Sequence, residues 1–169
     1  MANTFELIAS STVGAGGASS IDFTSIPATY TDLLINFSGR SDRSAAGDWA
    51  YATFNSSTAS FTGITLEGDG SAVSSYNTFG RILGMATGDT ATANTFGNSY
   101  AYIPNYAGST NKSFSVDMVT ENNASSAFDD LHAGLWSNTA AITSISLTPR
   151  VGTKWLQYST AYLYGIKNS

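Results

Sequence analysis

The sequence predicts an all-β fold: a two-sheet antiparallel sandwich of about eight to ten strands, with the jelly roll as its expected form. Three observations carry this. Apolar and aromatic residues alternate with Ser and Thr at period two in segment after segment, as a half-buried strand requires. These segments recur every ten to fifteen residues, separated by Gly, Asn, Asp and Ser, which supply turn backbone. No window of a dozen residues keeps helical spacing, and no fixed-period repeat suggests a propeller or solenoid. A closed barrel is the alternative. At 169 residues the chain is one domain, 1–169, large enough to bury its own core.

Residues 4–8 alternate as a strand, and the glycines of 13–17 return the chain into 20–23, which predicts an opening hairpin. Pro27 cannot donate a ladder hydrogen bond, so 26–32 is an irregular connection leading to a buried strand at 33–38. Residues 39–47, holding Arg40, Asp42 and Arg43 and followed by Asp48, are the most charged stretch and are expected to form a loop. Residues 49–54 alternate aromatic with small, putting Trp49 and Tyr51 on one strand face. Short strands follow at 64–66 and 75–82. The Ala, Thr and Gly of 84–94 show no periodicity and predict a long, flexible connection.

Strands at 99–103 and 112–119 follow, the second with Phe114, Val116 and Met118 inward. In 130–136, Leu131, Ala133 and Leu135 share one face, and His132, Gly134 and Trp136 the other. The chain closes on a strand pair at 142–148 and 159–166. With no helix to cover it, the last strand is expected in the middle of a sheet, bonded on both sides.

Composition narrows function by exclusion. Charged residues are 11% of the chain, under half the usual share of about 25%, and Ser, Thr, Asn, Ala and Gly take their place. A net charge of −5 with seven Lys and Arg argues against nucleic acid, whose phosphates must be met by basic groups. No stretch approaches the roughly 18 apolar residues of a membrane span. The first residues lack the basic start and apolar run of a signal peptide, which predicts synthesis in the cytoplasm. Without Cys there is no disulfide, thiolate metal site or thiol nucleophile.

Catalytic signatures are not found. His132 with Asp129 or Asp130 and one of many serines offers triad composition, but no G-x-S-x-G elbow occurs, and a half-exposed structural histidine is the expected role. Glu67 and Asp69, Glu121 with its Asn neighbours, and Asp129–Asp130 could ligate a cation, yet the D-x-[DN]-x-[DN]-G pattern is absent and Asp-Gly pairs make turns for backbone reasons. The chain is therefore expected to be no enzyme and to hold no cofactor or metal. The aromatics are the better clue: Trp49, Tyr51, Trp136 and Trp155 lie on or beside strands, where such rings form core, subunit interface or a platform for sugar rings.

Five phrases, Thr4-Phe-Glu-Leu-Ile-Ala-Ser10, Ile26-Pro-Ala-Thr-Tyr-Thr-Asp-Leu33, Tyr102-Ile-Pro-Asn-Tyr-Ala-Gly108, Leu135-Trp-Ser-Asn-Thr-Ala-Ala-Ile-Thr-Ser-Ile145 and Tyr158-Ser-Thr-Ala-Tyr-Leu-Tyr-Gly-Ile166, resemble small virion structural proteins of marine and cyanobacterial tailed phages. The resemblance spans most of the chain and marks a style of structural protein, not a catalytic signature. It implies an all-β protein on the particle exterior. In one role it decorates or cements the capsid as a homotrimer resting on the major capsid protein or other virion proteins; in the other it is a tail or fibre part binding host surface carbohydrate. On this reading the N-terminal segment 2–7, with Thr4, Phe5 and Leu7, is an anchoring or exchanged strand. Arg40, Asp42, Arg43 and Asp48 are a second candidate contact between subunits, with a solvated turn as the alternative.

Overall fold

The structure is a computed structural model that describes residues 4–78 and 80–167. These form twelve strands: β1 (Phe5–Thr12), β2 (Ile21–Phe23), β3 (Asp32–Arg40), β4 (Gly47–Phe54), β5 (Phe61–Gly68), β6 (Val73–Thr78), β7 (Ile82–Thr87), β8 (Gly97–Pro104), β9 (Lys112–Glu121), β10 (Ala127–Trp136), β11 (Ile145–Pro149) and β12 (Thr160–Ile166). The chain is all-β as expected, with twelve strands in place of eight to ten.

One hydrogen-bonded path runs β2, β11, β4, β7, β3, β8, β9, β10, β5, β6, and β12 joins β3 while carrying β1 on its far side. Among the described residues the one parallel pairing, between β3 and β7, involves only Gly39–Arg40 and Ala86–Thr87, so the arrangement is mixed and not wholly antiparallel. That corner divides the path into a large antiparallel sheet of eight strands, from β1 through β12, β3, β8, β9, β10 and β5 to β6, and a small one of four. The sheets are joined by rings. Phe54 of β4 packs edge-on against Phe114 of β9 and Trp136 of β10, with centroids 5.7 and 5.6 Å away. Phe37 of β3 meets Trp155 at 5.0 Å, and the Trp155 indole Nε1 donates to the Leu147 carbonyl at 2.9 Å. A buried indole thereby finds the partner its N–H needs.

Three expectations are corrected. β1 does not form a hairpin with β2: it pairs with β12, while β2 pairs with β11. Residues 84–94 are not a featureless connection, because their first part completes β7, whose six residues are all buried. A strand covered on both faces has no polar side to alternate with, so periodicity could not reveal it. The two closing strands lie in different sheets and do not pair with each other, although β12 is bonded on both sides, to β1 and β3.

Candidate binding face

On β10 the sequence alternates as expected, but the faces are reversed from what hydrophobicity alone would choose. Asp130, His132, Gly134 and Trp136 point inward and are buried, while Leu131 is 54% exposed and Ala133 lies beside it outside. β5 repeats this. Thr65 is fully buried opposite His132, and Ile64 and Leu66, which lie opposite Ala133 and Leu131, face out at 54% and 44% exposure. A strand that puts hydroxyl, imidazole and carboxyl groups inside and leucines outside gives up transfer free energy on both faces.

Residues opposite one another in a ladder share a face, so the registers trace the outer side of the large sheet. One row crosses Leu66, Leu131, Asp117, Tyr100, Asn36 and Tyr162. The next crosses Ile64, Ala133, Ser115, Tyr102, Leu34 and Tyr164, and reaches Leu7 on β1. A third brings Val73 and Val119 onto the same side. Among the described residues, every exposed large hydrophobic side chain except Val151 and Tyr158 lies on this face, ten of twelve. Isolated monomers seldom gather so much apolar surface in one place.

The expected N-terminal contact residues Phe5 and Leu7 belong to this face, half-exposed on edge strand β1, and Thr4 precedes them in an exposed bend. Ala2 lies outside the described residues. The charged stretch is arranged differently. Arg40 is buried, and its guanidinium donates to the carbonyls of Thr92, Thr95, Asp89 and Ala91. Asp48 is buried, 3.9 Å from Arg43, and accepts from the backbone N–H of Val151 and Gly152. Burial works to raise the Asp42 carboxyl, yet hydrogen bonds from Thr153 and Lys154 hold it below its ordinary value. These polar groups are satisfied within the chain.

The aromatics singled out in the sequence form no exposed platform. Trp136 and Trp155 are core and Tyr51 is buried beneath Arg81. Half-buried Trp49 stacks on Tyr76 at 6.0 Å under Arg150. Among the described residues the exposed tyrosines of the outer face are instead Tyr100, Tyr102 and Tyr162, with Asn36 and Asp117 in the same row as the first and last. Their positions on neighbouring strands could have been found only with the register in hand.

His132 is not half-exposed but buried, which keeps its imidazole neutral down to about pH 4. Its Nδ1 meets Thr65 Oγ1 at 3.0 Å and Thr78 Oγ1 at 3.5 Å, hydroxyls and not a carboxylate. Asp130 lies directly across from Glu67. Burial, with the Glu67 charge second, lifts its carboxyl to about 7, although Trp49 Nε1 donates to it at 3.4 Å. Glu67 accepts from the Tyr76 hydroxyl at 2.6 Å. A cleft of about 210 Å³ lined by Arg43, Asp48, Trp49, Glu67, Phe128 and Arg150 opens nearby. Among the described residues no three His, Cys, Asp or Glu side chains gather to hold a metal ion.

No family model, curated protein or solved structure matches the chain.

Proposed function

We propose that this chain is a structural protein on the outside of a tailed-phage particle, a capsid decoration or cement protein, that grips a neighbouring virion protein through the outer face of its large sheet. One observation supports this above the rest: β5 and β10 turn Ile64, Leu66, Leu131 and Ala133 outward and polar side chains inward. Eight strands at about 4.8 Å spacing make a face about 34 Å across, and three rows span about 14 Å along the strands. That is on the order of 500 Å² in projection, a fair share of the roughly 800 Å² of accessible surface each partner gives to a standard interface. In this reading the sandwich is of the jelly-roll type, and copies join three-fold through the free edges of β1, β2 and β6. Many such contacts, each weak, add up around a shell.

Particle reconstruction tests the reading. It expects symmetric density over the capsid faces with the large sheet turned toward the shell; density confined to the tail would contradict it.

A second reading, a tail or fibre module binding host carbohydrate, is favoured by one observation. Tyr100, Tyr102 and Tyr162 stand exposed on the face that Asn36 and Asp117 share, aromatic side chains near hydrogen-bonding groups. The aliphatic half of the same face, on β5 and β10, has no part in sugar recognition, and so the structural reading is preferred.

A further inference from the structure

The outer face is apolar but not neutral, and its charges have one sign. Asp117 sits near its centre on β9, between Tyr100 and Leu131 in one row. Asp129 lies in the adjoining row, opposite Val119. The two carboxylates are thus diagonal neighbours on adjacent strands, roughly 7 to 8 Å apart at their Cα atoms. Neither has a hydrogen-bond or ion-pair partner among the described residues. Both are exposed.

None of the seven basic side chains reaches this face. Arg40 and Lys112 are buried, and Arg81 and Arg150 lie over the Tyr51 ring on the inner side. Lys167 pairs with Glu6, which alternates with Phe5 and Leu7 and so points to the opposite side of β1. Arg43 and Lys154 belong to loops beside Asp48 and Gly17.

Resting on the reading above, we infer that the face docks a protein surface carrying arginine or lysine among apolar side chains, and not the same face of a second copy. Covering Asp117 and Asp129 strips them of water, which is tolerable only if a cation replaces it. Two copies packed face to face would bring four unpaired carboxylates into one apolar interface with no base to meet them. That arrangement is disfavoured by desolvation and by like-charge repulsion together. A basic, apolar partner satisfies both the leucine and tyrosine rows and the acids between them. The acids then set specificity and the rows supply contact area.

The test uses the purified full chain and two synthetic twelve-residue peptides, one alternating leucine with arginine and one alternating leucine with glutamine. Binding is followed by calorimetry at low and high salt. The arginine peptide should bind at least about tenfold more tightly than the glutamine peptide. Asp117→Asn with Asp129→Asn should abolish that preference. Asp22→Asn with Asp89→Asn, which removes the same net charge from outside the face, should keep it. Equal binding of the two peptides, binding of neither, or equal losses in the two double variants would each overturn the inference.

Sedimentation supplies a second arm. Self-association of the wild-type chain that Leu131→Thr removes would make a second copy the occupant and overturn it. Displacement of the arginine peptide by maltohexaose would do so in favour of a sugar. These outcomes need no particle, so a reconstruction that placed the chain elsewhere would remove the virion reading and leave this measurement standing.

Discussion

Asp130 and His132 project from the same inner face of β10, two residues apart, and burial drives their titrations in opposite directions: the carboxyl up from 3.8 to about 7, the imidazole down from 6.5 to about 4. Each is neutral in the folded chain over the interval between.

Their pH effects should therefore oppose one another. From about pH 4 to 7 folded Asp130 keeps a proton that the unfolded chain has lost, so its contribution falls as pH rises, by about 1.4 kcal/mol per unit at most. From about pH 4 to 6.5 the unfolded chain protonates His132 and the folded chain does not, so that contribution rises with pH at a similar slope. The wild-type stability should be nearly flat between pH 4.5 and 6. Asp130→Asn should make it rise with pH and His132→Gln should make it fall, as read by urea unfolding at the two pH values. Two variants with the wild-type profile would contradict this assignment.

Phe54 is the ring on which the two sheets meet. Phe54→Ala removes its contacts with Phe61, Phe114 and Trp136 and should cost about 3 to 5 kcal/mol, the range for deleting a buried phenylalanine. Urea unfolding gives the number; a loss under about 1 kcal/mol would mean that the sheets are held together elsewhere.

Arg40 holds the segment after β7 by its carbonyls. Arg40→Met leaves four acceptors without their charged donor and should cost about 2 to 3 kcal/mol. Amide exchange should accelerate over residues 89–95 more than in β9. Arg40→Lys should restore only part, because an ammonium cannot address carbonyls at both ends of a planar fork.

Much of this fold was legible. In β9, Lys112–Glu121, burial alternates without a break, and the residues read as inward, Phe114, Val116 and Met118, are buried. β7 was hidden because a strand covered on both sides carries no period. The partner of β1 was hidden because β12 lies some 150 residues further along, and nothing local encodes that pairing. The exposed apolar face was half legible. Alternation in 130–136 separated Leu131 from His132 correctly, but the rule that leucine goes inside assigns the wrong side. Trp136 and Trp155 are large aromatics that could serve core, interface or sugar platform, and a ring on or beside a strand is core or surface according to which sheet face it joins.

The measurement closest to the central claim is rebinding of purified chain to particles stripped of it, comparing wild type with the double variant Leu131→Thr, Tyr100→Thr. Threonine keeps strand propensity at exposed positions, so the variant's stability should stay within about 1 kcal/mol of wild type. The account predicts that it folds and fails to rebind. A folded variant that rebinds as the wild type does would show that the outer face of the large sheet is not what holds this protein in place.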